Sequence, residues 1–286
     1  MMKSIAGWGS GLVGVIIFSA SLPATKIAVG DFTPLFLTSA RAVIAALVGA
    51  GLLLFLREKA PQKDDLLSLA IVAFGVVIGF PLFTALALQH ITSTHSIVFI
   101  GILPLMTALF GVLRAGEHPQ SIFWVFAGIG AVLVATYALL QSADVSLIGD
   151  AYMVAAIIAC GLGYAEGAKL SKRLGGWQVI SWALILSLPV MFIVAVFYAP
   201  SSFDTVSLSG WLGLGYVSLF SMMIGFVFWY RGLAIGGIAG VGQLQLLQPF
   251  FGFLLAGLLV GEAVEPAMLF VTVMVIGCVI GAKRYA

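Results

Sequence analysis

Apolar residues do not alternate with polar ones in this chain; they run on. Long stretches of Leu, Ile, Val, Phe, Ala and Gly are broken only by short polar punctuation. Ten of them are long enough to cross hydrocarbon: about 5–29, 35–56, 66–88, 94–113, 121–141, 147–168, 177–199, 209–230, 237–260 and 266–282. A helical crossing takes roughly 17–25 residues. Backbone groups in lipid must be satisfied within the segment or in a closed barrel, and a barrel would need two-residue alternation. The pattern therefore predicts an all-α integral membrane protein of ten transmembrane helices, spans 1 to 10, without a soluble domain. The first run follows Lys3 and contains Ser19-Ala20-Ser21, a loosely cleavage-like triplet. Its apolar length exceeds the roughly 7–15 residues of a signal-peptide core, so it is read as a retained first span.

Composition agrees: 62% hydrophobic and 8% charged, against roughly 45–50% and about 25% in soluble domains. The net charge of +2 says little about partners; its placement says more. With ten spans, one side of the membrane holds Lys3, Arg57, Lys59, Lys63, Arg114, Lys169, Lys172, Arg173, Arg231, Lys283 and Arg284, eleven of the 13 Lys and Arg residues. The opposite loops, 30–34, 89–93, 142–146, 200–208 and 261–265, hold none. By the positive-inside rule both termini are expected in the cytoplasm. Lys26 and Arg41 are the two cations left inside spans. Cys160 and Cys278 fall mid-span and read as small core residues. No cofactor, metal or nucleic-acid partner is expected; the partners are the lipid bilayer and a small-molecule substrate.

One phrase is written twice. PLMTALFGVLRAGE (104–117) and PFFGFLLAGLLVGE (249–262) share their length and their Pro and Gly-Glu ends, 145 positions apart. IGF at 78–80 matches IGF at 224–226, Leu88 matches Leu233, and SLPATK (21–26) lines up loosely with YAEGAK (164–169). The chain thus divides into a first five-helix repeat, 1–141, and a second, 147–286. Five crossings are odd, so the second copy lies inverted. Inverted repeats can exchange conformations around a shared midplane site, giving alternating access. Glu117 is expected to cap the cytoplasmic end of span 4, and Glu262 the external end of span 9.

These residues resemble the drug/metabolite transporter superfamily, EamA type. The stretch FSASLPATKIAVGDFTPLFLTSARAVIAAL (18–47) is similar to the family's opening through Phe18-Ser19, Lys26, Pro34 and Arg41. The two Pro–Gly-Glu phrases match its pattern in spans 4 and 9, and the resemblance covers essentially the whole chain. Phe18 stands where a tryptophan is common, and the second copy has no counterpart of Arg41. Within the family the bacterial amino-acid exporters, including those for aromatic amino acids, are most similar. The resemblance implies a bacterial inner-membrane protein with spans 1, 3, 4, 6, 8 and 9 around a central cavity. Spans 2, 5, 7 and 10 would lie outside, and the 3–4 and 8–9 pairs would rock to open each face.

Individual residues then take provisional roles. Arg41, two turns into a peripheral span, reads as a structural anchor reaching Asp31 or helix-end carbonyls; its other reading is a ligand for a substrate carboxylate. Lys26 reads as snorkelling toward Asp31 or as a positive group at the external mouth. Glu166 reads as a partner of Lys169 at i+3, with Lys172 at i+6, or as a proton-coupling group; His90 and His95 flank the external turn, where proton coupling also stays open. Gln243, Gln245 and Gln248 are amides within one span, so they must face protein or water; Gln245 is the substrate candidate, and Gln248 shares its face. Pro104 and Pro249 are expected to bend their helices. Phe83, Phe99, Tyr164 and Trp229 are candidates for an apolar slot that stacks on a planar side chain.

Charge narrows the solute. A phosphate carrier needs several cavity cations, and a carrier of lipophilic cations needs a midplane carboxylate; neither pattern is present. Neutral amino acids, preferably aromatic or otherwise apolar, fit best. A broad drug exporter of the same superfamily and a channel-like facilitator remain alternatives. No HExxH or GxSxG motif suggests an enzyme.

Overall fold

The computed structural model describes residues 2–141, 146–252 and 266–286. Glu262, with the second half of the repeated phrase, lies outside the described residues. Within them the fold is helical, with no strand. The helices are α1 (Met2–Ser19), α2 (Ser21–Asp31), α3 (Pro34–Phe55), α4 (Leu66–Val72), α5 (Phe80–Ala87), α6 (Ser93–Ile100), α7 (Leu103–Ala115) and α8 (Ser121–Gln141). They continue as α9 (Leu147–Leu174), α10 (Gly176–Phe197), α11 (Leu208–Gly215), α12 (Gly225–Gly236), α13 (Ile238–Gly242) and α14 (Pro266–Tyr285).

Among the described residues, seven helical segments are long and apolar enough to cross a membrane: Ile5–Asp31, Pro34–Phe55, Lys63–Ala87, Ser121–Leu140, Leu147–Leu174, Gly176–Phe197 and Leu208–Gly236. α14 adds 20 residues. Span 4 departs from the expectation of one helix: it is α6 and α7, parted at Gly101 and Ile102. Pro104 has no N–H to give Ile100, and its ring displaces that carbonyl, so the helix stops and restarts. Pro23 has the same effect one turn earlier in the fold's first span. Residue i−4 there is Ser19, and α1 ends at it, with Ala20 bridging to α2 at φ −89° and ψ 0°. Before Pro249 the chain tightens to a 3-10 stretch, Gln243–Leu247, and returns to helix over 248–252. Both prolines expected to bend their helices thus sit at departures from regular helix.

Spans 3 and 8 carry a feature the apolar pattern did not signal. Each contains a π-helical stretch, Ala73–Gly79 and Tyr216–Ile224, and each stretch meets one IGF triplet. In these stretches the N–H reaches back five residues: Phe80 N to Gly75 O, and Gly225 N to Phe220 O. Such insertions widen a helix locally and recur at functional sites. At Gly225 a Cβ would stand 2.5 Å from Phe18 Cε1 and 3.0 Å from Phe220 O, so only glycine admits the widened turn against the Phe18 ring.

Glycine also sets the packing of α1 on α12. Gly7 and Gly11 face Gly232 and Gly236, and a Cβ on Gly232 would lie 2.6 Å from Gly11 N. Small residues at four-residue spacing let backbones touch where lipid gives no hydrophobic drive. Gly232→Ala should therefore push two backbones apart, with no flexible side chain to yield. A loss of about 1–3 kcal/mol is expected, read as a lower unfolding temperature in detergent. Gly128→Ala, with open space at its Cβ, is the control that should not move it.

Further contacts include α3 on α10, α8 on α14, α7 on α9 and α13, α2 on α11, and the α4–α5 segment on α9. Outward, Leu54, Phe55, Leu140 and Phe197 are each at least 78% exposed. In water that surface would be a liability; against lipid it is the ordinary outer face.

Candidate functional site

The breaks in spans 1, 4 and 9 and the π stretches in spans 3 and 8 converge on one central cavity. Its wall takes Phe18, Ser21, Leu22 and Thr25 from span 1, and Val76, Phe80, Pro81 and Thr84 from span 3. Ile100 and Leu103 come from span 4, Tyr164 from α9, Ser221 and Phe226 from span 8, and Gln245 and Gln248 from span 9. The expected lining spans are all represented. One contribution was not expected: Arg41 from α3. The cavity volume is about 30 Å³, room for about one water molecule. A larger solute enters only when the walls part.

The rings in this wall brace one another. Phe18 and Phe226 meet edge-on with centroids 5.2 Å apart, and Tyr164 meets Phe226 at 5.9 Å. Trp229 lies behind them, fully buried, 5.4 Å from Tyr164 and 6.2 Å from Phe18. Gln248 Nε2 donates to Phe18 O at 3.2 Å, tying span 9 to the break in span 1. The Gln245 amide lies beside the Tyr164 hydroxyl, yet both its ends are buried without a hydrogen bond of ordinary geometry. A bare amide costs free energy in such a place.

The sequence candidates divide accordingly. Tyr164 and Gln245 reach the cavity, and Trp229 supports it from one layer back. Phe83 instead stacks on Tyr152 at 6.5 Å, and Phe99 packs edge-on against His95 at 6.0 Å; neither lines the cavity. Lys26 does not turn to Asp31. Its Nζ donates to Leu88 O at 2.6 Å and Ile91 O at 3.4 Å, satisfying carbonyls just past the end of α5, where a cation also suits the helix dipole. Asp31 instead accepts from the backbone N–H and hydroxyl of Ser207. Arg41 consequently has no partner at the helix end. It is 5% exposed and donates from Nη2 to Ser221 Oγ at 3.3 Å. Phe18, Ser21, Thr25, Phe80, Thr84, Ser221 and Phe226 complete a wall that no single polar pattern in the sequence marked.

At one end of the bundle the first repeated phrase joins the two halves of the chain. Gly116 leaves α7 with φ +67°, the left-handed turn that glycine favours. That turn swings Glu117 onto the start of α13, where Oε1 accepts from Ile238 N and Oε2 from Ala239 N, each at 2.7 Å. Glu117 therefore caps the neighbouring helix start rather than only its own helix end. One turn earlier, Arg114 Nε donates to Glu166 Oε2 at 2.9 Å, and Ser68 Oγ donates to Glu166 Oε1 at 2.6 Å. Lys169, expected as the main partner, is farther away at 3.8 Å. Toward the other end, His95 Nε2 lies 2.9 Å from Asp150 Oδ1.

The sequence model of the EamA-like transporter family matches the chain twice, over residues 6–140 and 147–282. The chain belongs to the EamA-like transporter family. An EamA-like transporter is a multi-pass membrane protein that moves a small-molecule substrate across a bilayer, which suits a walled cavity inside an apolar bundle. The chain is 62% identical over 286 residues, all of both chains, to the "Uncharacterized transporter YdeK" of Bacillus subtilis (strain 168). It is 27% identical to the "S-adenosylmethionine/S-adenosylhomocysteine transporter" of Chlamydia muridarum (strain MoPn / Nigg), covering 93% of this chain and 88% of that one. A solved crystal structure, at 19% identity, superposes with a TM-score of 0.78 over 99% of this chain and 100% of the other, a likeness of fold.

Proposed function

We propose that this EamA-like transporter exports neutral amino acids with aromatic or other apolar side chains across a bacterial inner membrane by alternating access. The observation that carries this reading is the cavity itself. Its rings come from both halves of the chain, and much of its wall lies where both halves leave regular helix. The ring faces of Tyr164 and Phe226 suit a planar side chain, and Gln245 suits its polar end. Phe83 and Phe99 drop out of the contact set; Lys26 stays as a cation near an outer groove with Val29, Gly30, Leu88 and Gln89.

The mechanism we propose uses ten spans as two inverted five-helix repeats, with both termini cytoplasmic. Three observations support it. The family model aligns once with each half. The π stretches fall at matching positions, with Gly79 facing Phe74 O at 2.8 Å as Gly225 faces Phe220 O at 3.0 Å. The pairing of helices is also reciprocal: span 1 lies on span 8 as span 6 lies on span 3, while span 2 lies on span 7 and span 5 on span 10. An internal two-fold predicts that exchange. In this conformation the Arg114 and Glu117 contacts hold the proposed cytoplasmic end shut, and the hinges are the breaks at Pro104 and Pro249.

A second reading has a specific support. The relative named for S-adenosylmethionine and S-adenosylhomocysteine aligns along nearly the whole chain, and those solutes combine an amino-acid group with a planar ring. Liposomes containing only the purified protein test both readings. Labelled phenylalanine, tryptophan, threonine and methionine should equilibrate faster than in empty vesicles, and faster still with unlabelled substrate on the far side. Stimulation only by S-adenosylmethionine would select the second reading, and a rate indifferent to the far side would indicate a facilitator. Repeating the assay across a pH gradient reads proton coupling. Equilibration of all of them at the empty-vesicle rate would end the proposal.

A further inference from the structure

A charge inside a membrane protein is kept only where something compensates it, because desolvation costs several kcal/mol. Arg41 is 5% exposed, and its compensation is thin. A guanidinium carries five N–H donors. Here one of its nitrogens reaches Ser221 Oγ at 3.3 Å, and Nε is buried without a partner. Ser221 Oγ is shared, since it also accepts from Ser21 Oγ at 2.8 Å.

The described carboxylates near the membrane-spanning helices are engaged elsewhere. Asp31 is held by Ser207, Asp65 by Arg173, Asp150 by His95, and Glu166 by Arg114 and Ser68. Glu117 is held by the amides of Ile238 and Ala239. Among the described residues no Asp or Glu stands in the cavity wall, and Arg41 does. Thr84, also in that wall, has a buried hydroxyl with no partner. The repeat markers on either side of Arg41 place its counterpart within 184–187, which reads Leu-Ile-Leu-Ser and holds no cation. Among the described residues the chamber therefore has one fixed positive charge, not a symmetric pair.

We propose that the Arg41 guanidinium is the receptor for a carboxylate on the transported solute, which confines the solute class to organic acids and zwitterions carrying an apolar or aromatic group. The proposal rests on the reading of this cavity as the transport site. The solute's carboxylate takes the forked N–H donors, a geometry arginine matches in two parallel bonds. Ser21 and Ser221 supply hydroxyls at that end, and Thr25 and Thr84 stand in the same wall. The Phe18, Tyr164 and Phe226 rings receive the remainder. An α-ammonium, where the solute has one, finds the Gln245 carbonyl oxygen but no counter-charge among the described residues. The site should therefore tolerate loss of the ammonium far better than loss of the carboxylate. That asymmetry distinguishes the receptor from a merely greasy slot.

The test is binding to the purified full-length chain, followed by tryptophan fluorescence, since Trp229 adjoins Tyr164. The probes are L-phenylalanine, 3-phenylpropionate, phenylalaninamide and phenethylamine. The two acids should bind, and the amide and the amine should bind at least about tenfold more weakly. Arg41→Gln should erase the preference, with all four probes alike, and Arg41→Lys should keep part of it. Equal binding of acid and amide by the wild type would overturn the proposal. So would a folded Arg41→Gln that keeps the preference, or failure of both acids to bind. Should Arg41→Gln not fold, the four-probe series on the wild type still decides. Liposome flux separates the two ideas. Acids that bind but are not carried would end the export reading and leave the receptor, whereas equal flux of phenylalanine and its amide would end the receptor and leave export.

Discussion

Replacing Glu117 by alanine is expected to unlatch the end of the bundle where α7 meets α13. The carboxylate joins the two halves of the chain through two bonds of 2.7 Å to successive backbone N–H groups. Those N–H groups start a helix and have no partner within it, and the negative charge also suits the helix dipole there. Hydrogen bonds to a charged group contribute about 1.5–3 kcal/mol each, and water at this half-buried rim would replace part of that. A net loss of about 2–3 kcal/mol is reasonable, which shifts a two-state equilibrium by about 30- to 150-fold. Glu117→Gln, with one acceptor oxygen and no charge, should fall between. A reporter is at hand: Thr107 on α7 is fully buried, with its Cγ2 3.4 Å from where a Cβ on Gly242 would stand. In a background with Cys160→Ser and Cys278→Ser, both buried free thiols in the wild type, Thr107→Cys should react slowly with a water-soluble maleimide. Adding Glu117→Ala should speed the reaction at least about tenfold. An unchanged rate would mean that Glu117 is no latch.

The apolar runs foretold the fold class because length and hydropathy are what a bilayer selects. Their interiors were less legible. Pro104 announced its break through missing chemistry, and so did Pro23, once read with its i−4 carbonyl in mind. The π stretches had no such herald. Valine, isoleucine and methionine suit a regular helix as well as a widened one. The only clue was that IGF occurs twice, and its glycine admits the carbonyl of the preceding wide turn. Gly116-Glu117 was recognised as a cap, but the helix it caps belongs to the other half of the chain, a relation that requires three dimensions.

The site was legible in kind and misplaced in detail. Gln245 and Gln248 were betrayed by cost, since an amide in a span must find company, and both line the cavity. Aromatic residues carry no such signal, because a ring suits lipid, a neighbour or a guest equally. Hence Phe83 and Phe99 turned to Tyr152 and His95, and Phe80 and Phe226 took the wall. Arg41 is the instructive departure. Span 2 was expected outside the cavity, and Asp31 was offered as the partner. The sequence did contain the contrary signal: no acidic residue lies three or four positions to either side of Arg41, and the start of α3 is ~10 Å away along the axis at 1.5 Å per residue. A peripheral helix can still send one long side chain inward.

Arg114→Ala should destabilise the protein more than its exposed position suggests. The arginine side chain is 40% exposed, but its partner Glu166 is 1% exposed. Removing one member of such a pair leaves a buried charge, which costs about 3–5 kcal/mol when nothing else answers it. Ser68 still donates to Glu166 and Lys169 stands at 3.8 Å, and solvent already screens the arginine, so about 2–3 kcal/mol is the expected loss. Glu166→Gln alone should cost less, because a neutral amide tolerates burial better than an orphaned carboxylate. The decisive variant is the double one, Arg114→Ala with Glu166→Gln. If the stranded carboxylate is the cause, the double variant recovers part of the loss and the two changes are non-additive by about 1 kcal/mol or more. Unfolding midpoints of the four proteins in one detergent measure this directly. Strict additivity would show that Arg114 acts through packing of its stem against α9, and that α7 and α9 are joined by shape rather than by charge.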